Sequence, residues 1–174
     1  MQSSFIHLRV SSEFSISRGL LRINEIIENA QKLNMPAVAL SDLNNMFGMV
    51  KFFKKAEAAG IKPIAGTILN LKSHNGEFGE ILCLAKNNKG FKSLMSIISK
   101  SQLQQENGYI SVTFDDLRRC AENIIVIAGG PLSNIFNLAK HKKYQDLKTE
   151  LKAFKETFQD DFCIELQRLG KGFE

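Results

Sequence analysis

Residues 37–69 read AVALSDLNNMFGMVKFFKKAEAAGIKPIAGTIL, and this stretch decides the fold class. Ala37-Val38-Ala39-Leu40 is a short run with no polar face, which suits a strand buried on both sides. Met46, Val50, Phe53 and Ala56 then recur at helical spacing. Gly60 stands where a helix needs a residue of positive φ to stop. Lys62 to Leu71 is again β-rich. Strand, helix and strand in about 30 residues make a βαβ unit, the building block of a parallel sheet.

The same rhythm extends outward in both directions. Upstream, Phe5 to Val10 alternates as a strand. Leu20, Ile23, Ile26, Ile27, Ala30 and Leu33 mark a helix that Asn34 and Pro36 end. Downstream, Glu80 to Lys86 reads as a strand, and His74-Asn75-Gly76-Glu77 makes it a hairpin with the strand before. Phe91, Leu94, Met95 and Ile98 share a helical face. Thr113 and Asp116 form a capping-box-like start for the next helix. Ile124 to Ile127 is a further buried strand. Gly129-Gly130-Pro131 leads into a short helix, and Tyr144, Leu147, Leu151, Phe154 and Phe158 mark an amphipathic one. Phe162 to Leu169 is the last strand. Six strands in mostly β–α order imply an α/β sheet or barrel covered by helices. The last strand stops just short of Glu174, so the chain reads as one domain, residues 1–174, belonging to a longer polypeptide.

The chain has 174 residues, 44% of them hydrophobic, enough to build a core. No apolar run reaches the roughly 18 residues of a membrane span. The start, Met1-Gln2-Ser3-Ser4-Phe5, lacks the pattern of a secretory signal. A cytosolic protein with no membrane partner is expected. Cys83, Cys120 and Cys163 form no CxxC pair and are read as buried, reduced thiols. Net charge is +5, compatible with a nucleic-acid partner. The one dense basic run is Lys140-His141-Lys142-Lys143, read as a solvated turn that could touch phosphate. No aromatic residue interleaves it, so in sequence it makes no stacking platform.

Phosphate-loop, dinucleotide and nucleophile-elbow motifs are missing. Gly129-Gly130-Pro131 could offer amides to an anion, but a tight strand-to-helix turn is the default reading. The informative segment is Phe5-Ile6-His7-Leu8-Arg9-Val10-Ser11-Ser12-Glu13-Phe14-Ser15, followed by Arg18-Gly19. It resembles the opening of the PHP (polymerase and histidinol phosphatase) domain in the alpha subunit of bacterial DNA polymerase III. Ala39-Leu40-Ser41-Asp42-Leu43-Asn44-Asn45-Met46-Phe47-Gly48 is similar to that family's second motif, and Gly60-Ile61-Lys62-Pro63-Ile64-Ala65-Gly66 to its third. Leu84 to Phe91 and Ile164-Glu165-Leu166 continue the likeness in order along the whole chain.

The resemblance implies a PHP-type distorted β/α barrel, incomplete in this chain. In metal-bearing members of the family, His, Asp and Glu side chains at one end of the barrel hold metal ions that hydrolyse phosphoesters. The ligand-capable types are mostly missing here. The family's His-x-His falls on Arg9 and Ser11, and arginine has no lone pair to give. Its acidic position before a glycine is Arg18. Asp42 is kept, but its histidine neighbour is Leu43. A later acidic position is Ile68, and a soft-ligand position is Gly130. Arg9 and Arg18 are expected to pair with Asp42 or Glu13, replacing a metal cluster by a salt-bridge network. His7 is expected to bond to backbone, Asp42 to be structural, and His74 and His141 to be solvated.

The resemblance therefore implies a polymerase-alpha domain acting as a metal-free scaffold. Its partners would be the proofreading exonuclease subunit and other polymerase III holoenzyme subunits. DNA would be a ligand of the full-length protein, a DNA-directed DNA polymerase using Mg. The alternative is a metal-dependent phosphoesterase or 3'-5' exonuclease built on Asp42, His7 and Glu13. A third reading is direct DNA contact through the basic surface. A barrel short of its last strand would also expose an edge that invites pairing between chains.

Overall fold

Ala37-Val38-Ala39-Leu40 lies in the strand β1 (Ala37–Leu43), which is buried up to Asp42. The computed structural model describes residues 5–16, 18–73, 76–105, 108–167 and 170. The chain divides into two units, residues 1–68 and 69–174.

The first unit holds α1 (Ile23–Lys32), β1, α2 (Met49–Ala58) and the start of β2 (Lys62–Lys72). β1 and β2 pair in parallel, from Ala37 opposite Lys62 to Leu43 opposite Ile68. This is the expected strand–helix–strand unit. α1 buries Ile23, Ile26, Ile27 and Ala30 as one stripe. It begins where the Arg22 N–H donates to the Glu25 carboxylate at 2.7 Å. It ends at Asn34, which adopts a φ of 52°. There Met35 N–H donates to Ala30 C=O and Asn34 N–H to Gln31 C=O, which satisfies the last carbonyls. Leu20 and Leu33, expected on the buried stripe, are exposed, because the helix begins after one and stops before the other.

α2 closes the same way. Gly60 has a φ of 72°, Ile61 N–H donates to Ala56 C=O and Gly60 N–H to Glu57 C=O. Its buried face is Met49, Phe52 and Ala56, with Val50 exposed. The run Met49-Val50-Lys51-Phe52-Phe53 offers two overlapping apolar stripes. The helix buries the second, and in the turn before it the Phe47 N–H donates to Asn45 Oδ1 at 3.2 Å.

The expected first strand, Phe5 to Val10, is corrected. The segment runs beside β1, with Ala39 N–H donating to His7 C=O and Ser41 N–H to Val10 C=O. Val10 N–H donates instead to Ser41 Oγ at 2.9 Å. A side chain interrupts the ladder, so no regular strand forms.

The second unit holds the end of β2, then β3 (Phe78–Ala85), α3 (Asn88–Leu103), β4 (Val112–Thr113), α4 (Phe114–Arg118), β5 (Ile124–Ala128), α5 (Asn134–Lys140), α6 (Tyr144–Phe158) and β6 (Phe162–Ile164). Strand neighbours run β2, β3, β5, β6, with β4 beside the end of β2. β3 and β5 are antiparallel, whereas β5 and β6 are parallel. The hairpin reverses the chain and makes the sheet mixed. Its turn closes with Ser73 N–H donating to Glu77 C=O at 2.8 Å. His74 and Asn75 lie outside the described residues. Among the described residues the strand pairings follow an open path and do not close into a barrel.

Thr113 and Asp116 form the expected capping box of α4. On α3, Leu94, Ile97 and Ile98 are buried while Met95 is exposed. On α6 the buried rings are Phe154 and Phe158, which stack on each other, and Phe154 also stacks on Phe162 at 5.0 Å. Tyr144, expected on that face, is exposed. Regular structure in the last strand stops at Ile164. Glu165 N–H makes one more bond, to Ala128 C=O, and residues 168–169 lie outside the described set.

Candidate functional site

Asp42 sits near the end of β1 and is 0% exposed. A buried carboxylate needs donors, and residues 12–15 supply them. Oδ1 accepts the Ser12 backbone N–H at 2.7 Å and the Ser15 hydroxyl at 2.6 Å. Oδ2 accepts the Ser12 hydroxyl at 2.8 Å. Ser12 and Ser15 are themselves buried. Ser15 Oγ accepts the Leu43 N–H at 3.0 Å, so the loop and the strand end are tied in both directions. Thr67 on β2 donates its hydroxyl to the Asp42 carbonyl at 2.9 Å.

The loop is bent to reach Asp42. Glu13 N–H donates to Leu21 C=O, and Ser15 and Gly19 N–H groups return to Ser12 C=O and Ser15 C=O. A Cβ at Gly19 would stand 1.7 Å from the Ser12 carbonyl oxygen, so only glycine permits this approach. Ser12 and Ser15 are site residues that sequence reasoning missed. Their spacing is ordinary, and only the docking of residues 12–15 on β1 reveals their role.

The other positions chosen from the sequence divide as follows. Ser11 donates its hydroxyl to Ser41 C=O at 3.3 Å. Leu43 stands opposite Ile68 in the β1–β2 register, and Asn44 N–H donates to the Ile68 carbonyl. The Ile68 side chain is 5% exposed and belongs to the core. Ser11, Asp42, Leu43 and Ile68 are thus gathered at one end of β1 and β2 in the first unit. Arg9 is half-buried and, with His7 and Ser11, lines a cavity of about 430 Å³ alongside α1. Arg18 is exposed, and its backbone N–H donates to Ser15 C=O at 3.0 Å.

The expected salt-bridge network is corrected. Glu13 pairs with Lys51 at 3.6 Å and Arg22 at 3.9 Å, and Asp42 bonds the two serines. Among the described residues, neither carboxylate takes Arg9 or Arg18. Neutral donors of the short serine loop take the place at Asp42. The His7 ring is exposed and meets Phe5 edge-on at 4.8 Å; the backbone bond at this residue is made by its carbonyl.

Gly130 belongs to the second unit. A Cβ there would meet Glu165 Oε1 at 2.5 Å, so the Glu165 side chain occupies the space beside Gly130. Among the three cysteines, Cys83 and Cys120 are buried and Cys163 is exposed, which corrects the reading of all three as buried. Burial pushes the Cys120 thiol up to about 11 and raises Cys83 further. His141 is exposed, with Nδ1 at 2.8 Å from Asn137 C=O.

The residues do not fit a metal cluster. A carboxylate offers about four lone-pair directions, and three at Asp42 point at hydrogens. Oδ1 is engaged by the Ser12 N–H and the Ser15 hydroxyl, so a lone cation would find only one lone pair of Oδ2 and no second carboxylate or imidazole beside it. Leu43 and Ile68 have no donor atom, and arginine has no lone pair to give. Among the described residues no group of three or more His, Cys, Asp or Glu side chains could hold a metal ion.

Comparison with known proteins adds to this geometry. The PHP domain family matches residues 7–169. The DNA polymerase III subunit alpha of Borreliella burgdorferi is 36% identical over 97% of this chain and 16% of its own length. That of Vibrio cholerae is 36% identical over 98% of this chain and 15% of its own. That of Escherichia coli K12 is 33% identical over 96% of this chain and 15% of its own. The chain therefore spans about one sixth of the length of the curated relatives it matches.

Proposed function

The chain belongs to the PHP domain family, and from that premise we propose that it is the N-terminal PHP domain of a replicative DNA polymerase III alpha subunit, serving as a metal-free structural and subunit-docking scaffold. The observation that supports the reading is the engagement of Asp42 by three donors from Ser12 and Ser15. In a hydrolytic site that carboxylate would face a metal ion and water. Here it fastens the loop of residues 12–15 to β1. Arg9, Ser11, Arg18, Leu43, Ile68 and Gly130 stand where the family's ligands would be, and none is a good metal donor.

On this reading the full-length parent is a DNA-directed DNA polymerase that uses Mg and binds DNA. The domain itself catalyses nothing. Its partners are the proofreading exonuclease subunit and the other holoenzyme subunits. The test is a pair of assays on the full-length protein: 3'-5' exonuclease and phosphoesterase turnover with added Mn or Zn, before and after Asp42→Asn. The scaffold reading expects no turnover that Asp42→Asn removes. Metal-dependent hydrolysis abolished by that substitution, in a variant that stays folded, would establish the phosphoesterase alternative instead.

A further inference from the structure

Asn134 is the first residue of α5 and is 5% exposed, so its side-chain amide has to be satisfied inside the second unit. One end of the amide is. Nδ2 donates to Ser73 Oγ at 3.1 Å and to Glu150 Oε2. These bonds join α5 to the residue after β2 and to α6. A carboxylate has no hydrogen to give, so Glu150 decides which end of the amide is nitrogen. The other end, Oδ1, is buried, and no protein donor among the described residues reaches it. Every other buried side-chain nitrogen or oxygen of the described residues has a partner. One exception of this kind calls for a ligand.

The surroundings set the size and chemistry of that ligand. Asn134 lines a cavity of about 10 Å³ together with Glu150, Gly79, Ile81, Ala128 and Phe154. Gly79 is the β3 residue against α5. A Cβ there would stand 2.3 Å from the Asn134 backbone nitrogen, so glycine is what lets the two elements approach. The cavity is about the least that holds one water. Its polar side chains offer an amide oxygen and a carboxylate, both acceptors, so the occupant has to be a donor.

We infer that one structural water is bound here, donating to Asn134 Oδ1 and to the Glu150 carboxylate. It completes the junction of β2, β3, α5 and α6. Asparagine suits the position because it donates on one side and accepts on the other. Aspartate, of the same shape, would set a second carboxylate against Glu150. The inference concerns the second unit and does not depend on the scaffold reading.

The test counts long-lived internal waters in the 174-residue chain by oxygen-17 relaxation dispersion, with Overhauser transfer from water to the Ala128 methyl group as the local readout. The parent is expected to show that transfer. Asn134→Leu keeps the volume without the amide, and is expected to lose the transfer and one long-lived water. Should the leucine variant fail to fold, the transfer in the parent decides alone. Exchanging sodium for potassium or choline at constant ionic strength is expected to leave the thermal midpoint of the parent unchanged. A midpoint that follows the identity of the cation would assign the cavity to a bound cation and overturn the water. The inference also fails if the parent shows no transfer to Ala128, or if a folded leucine variant keeps the same number of long-lived waters.

Discussion

Replacing Asp42 by alanine removes the acceptor that holds residues 12–15. Three donors lose their partner: the Ser12 N–H, the Ser12 hydroxyl and the Ser15 hydroxyl. A buried donor left unsatisfied costs about 1–3 kcal/mol. The two hydroxyls can rotate to other acceptors, but the backbone N–H cannot. The full term for Ser12 N–H plus partial terms for the hydroxyls comes to about 3–5 kcal/mol, a large share of a typical total of about 5–15 kcal/mol. Asp42→Asn should cost less, roughly 1–2 kcal/mol. Its amide oxygen can keep the two bonds at Oδ1, and its NH₂ then faces Ser12 Oγ, which can accept. With a urea slope of about 2 kcal/mol per molar, the alanine variant should lose roughly 1.5–2.5 M from its midpoint. Amide exchange at Ser12 should accelerate along with it. An alanine variant within about 1 kcal/mol of the parent would refute the account of Asp42 as the buried anchor. So would an asparagine variant as unstable as the alanine one.

Asp116 gives the pH dependence. Burial alone would raise its carboxyl, but hydrogen bonds from Lys100 and Thr113, with the Lys100 charge, outweigh that and hold it below the usual range. Its side chain is 10% exposed and lies 2.6 Å from Lys100 Nζ. A lowered folded-state pKa means its stabilisation is present above about pH 4, the unfolded value, and is lost as pH falls through the folded one. Asp116→Asn should therefore destabilise by about 1–2 kcal/mol at neutral pH, with the difference vanishing at strongly acidic pH in a urea series. The thiols should separate cleanly under a maleimide at mildly alkaline pH. Cys163 reacts in the folded chain, while Cys83 and Cys120, buried with raised thiols, react only on unfolding. Fast modification of Cys83 in the folded protein would contradict the packing of β3.

The elements that were legible in the sequence are those with strong local signals. Gly60 and the Thr113–Asp116 pair act through bonds to their own neighbours, so their positions could be read directly. Ala37 to Leu40 and Ile124 to Ile127 were legible as buried strands because each is apolar throughout. Less legible features depended on distant groups. The first segment alternates like a strand but loses its ladder to the Ser41 hydroxyl. β4 is two residues long and has no periodicity to detect. α2 offered two apolar stripes, and spacing alone could not say which one packs inward. At the site, the side-chain chemistry of Arg9, Leu43 and Ile68 was plain from their identity. The serines that bond Asp42 were not, because their role exists only once the loop of residues 12–15 is docked on β1.

The central claim concerns what Asp42 holds, and metal content tests it most directly. The full-length chain, purified without chelators and passed through gel filtration, should carry well below one equivalent of zinc, manganese or iron per chain, with no change on Asp42→Asn. Stoichiometric retention of one of these metals, lost in Asp42→Asn while the protein stays folded, would contradict the account.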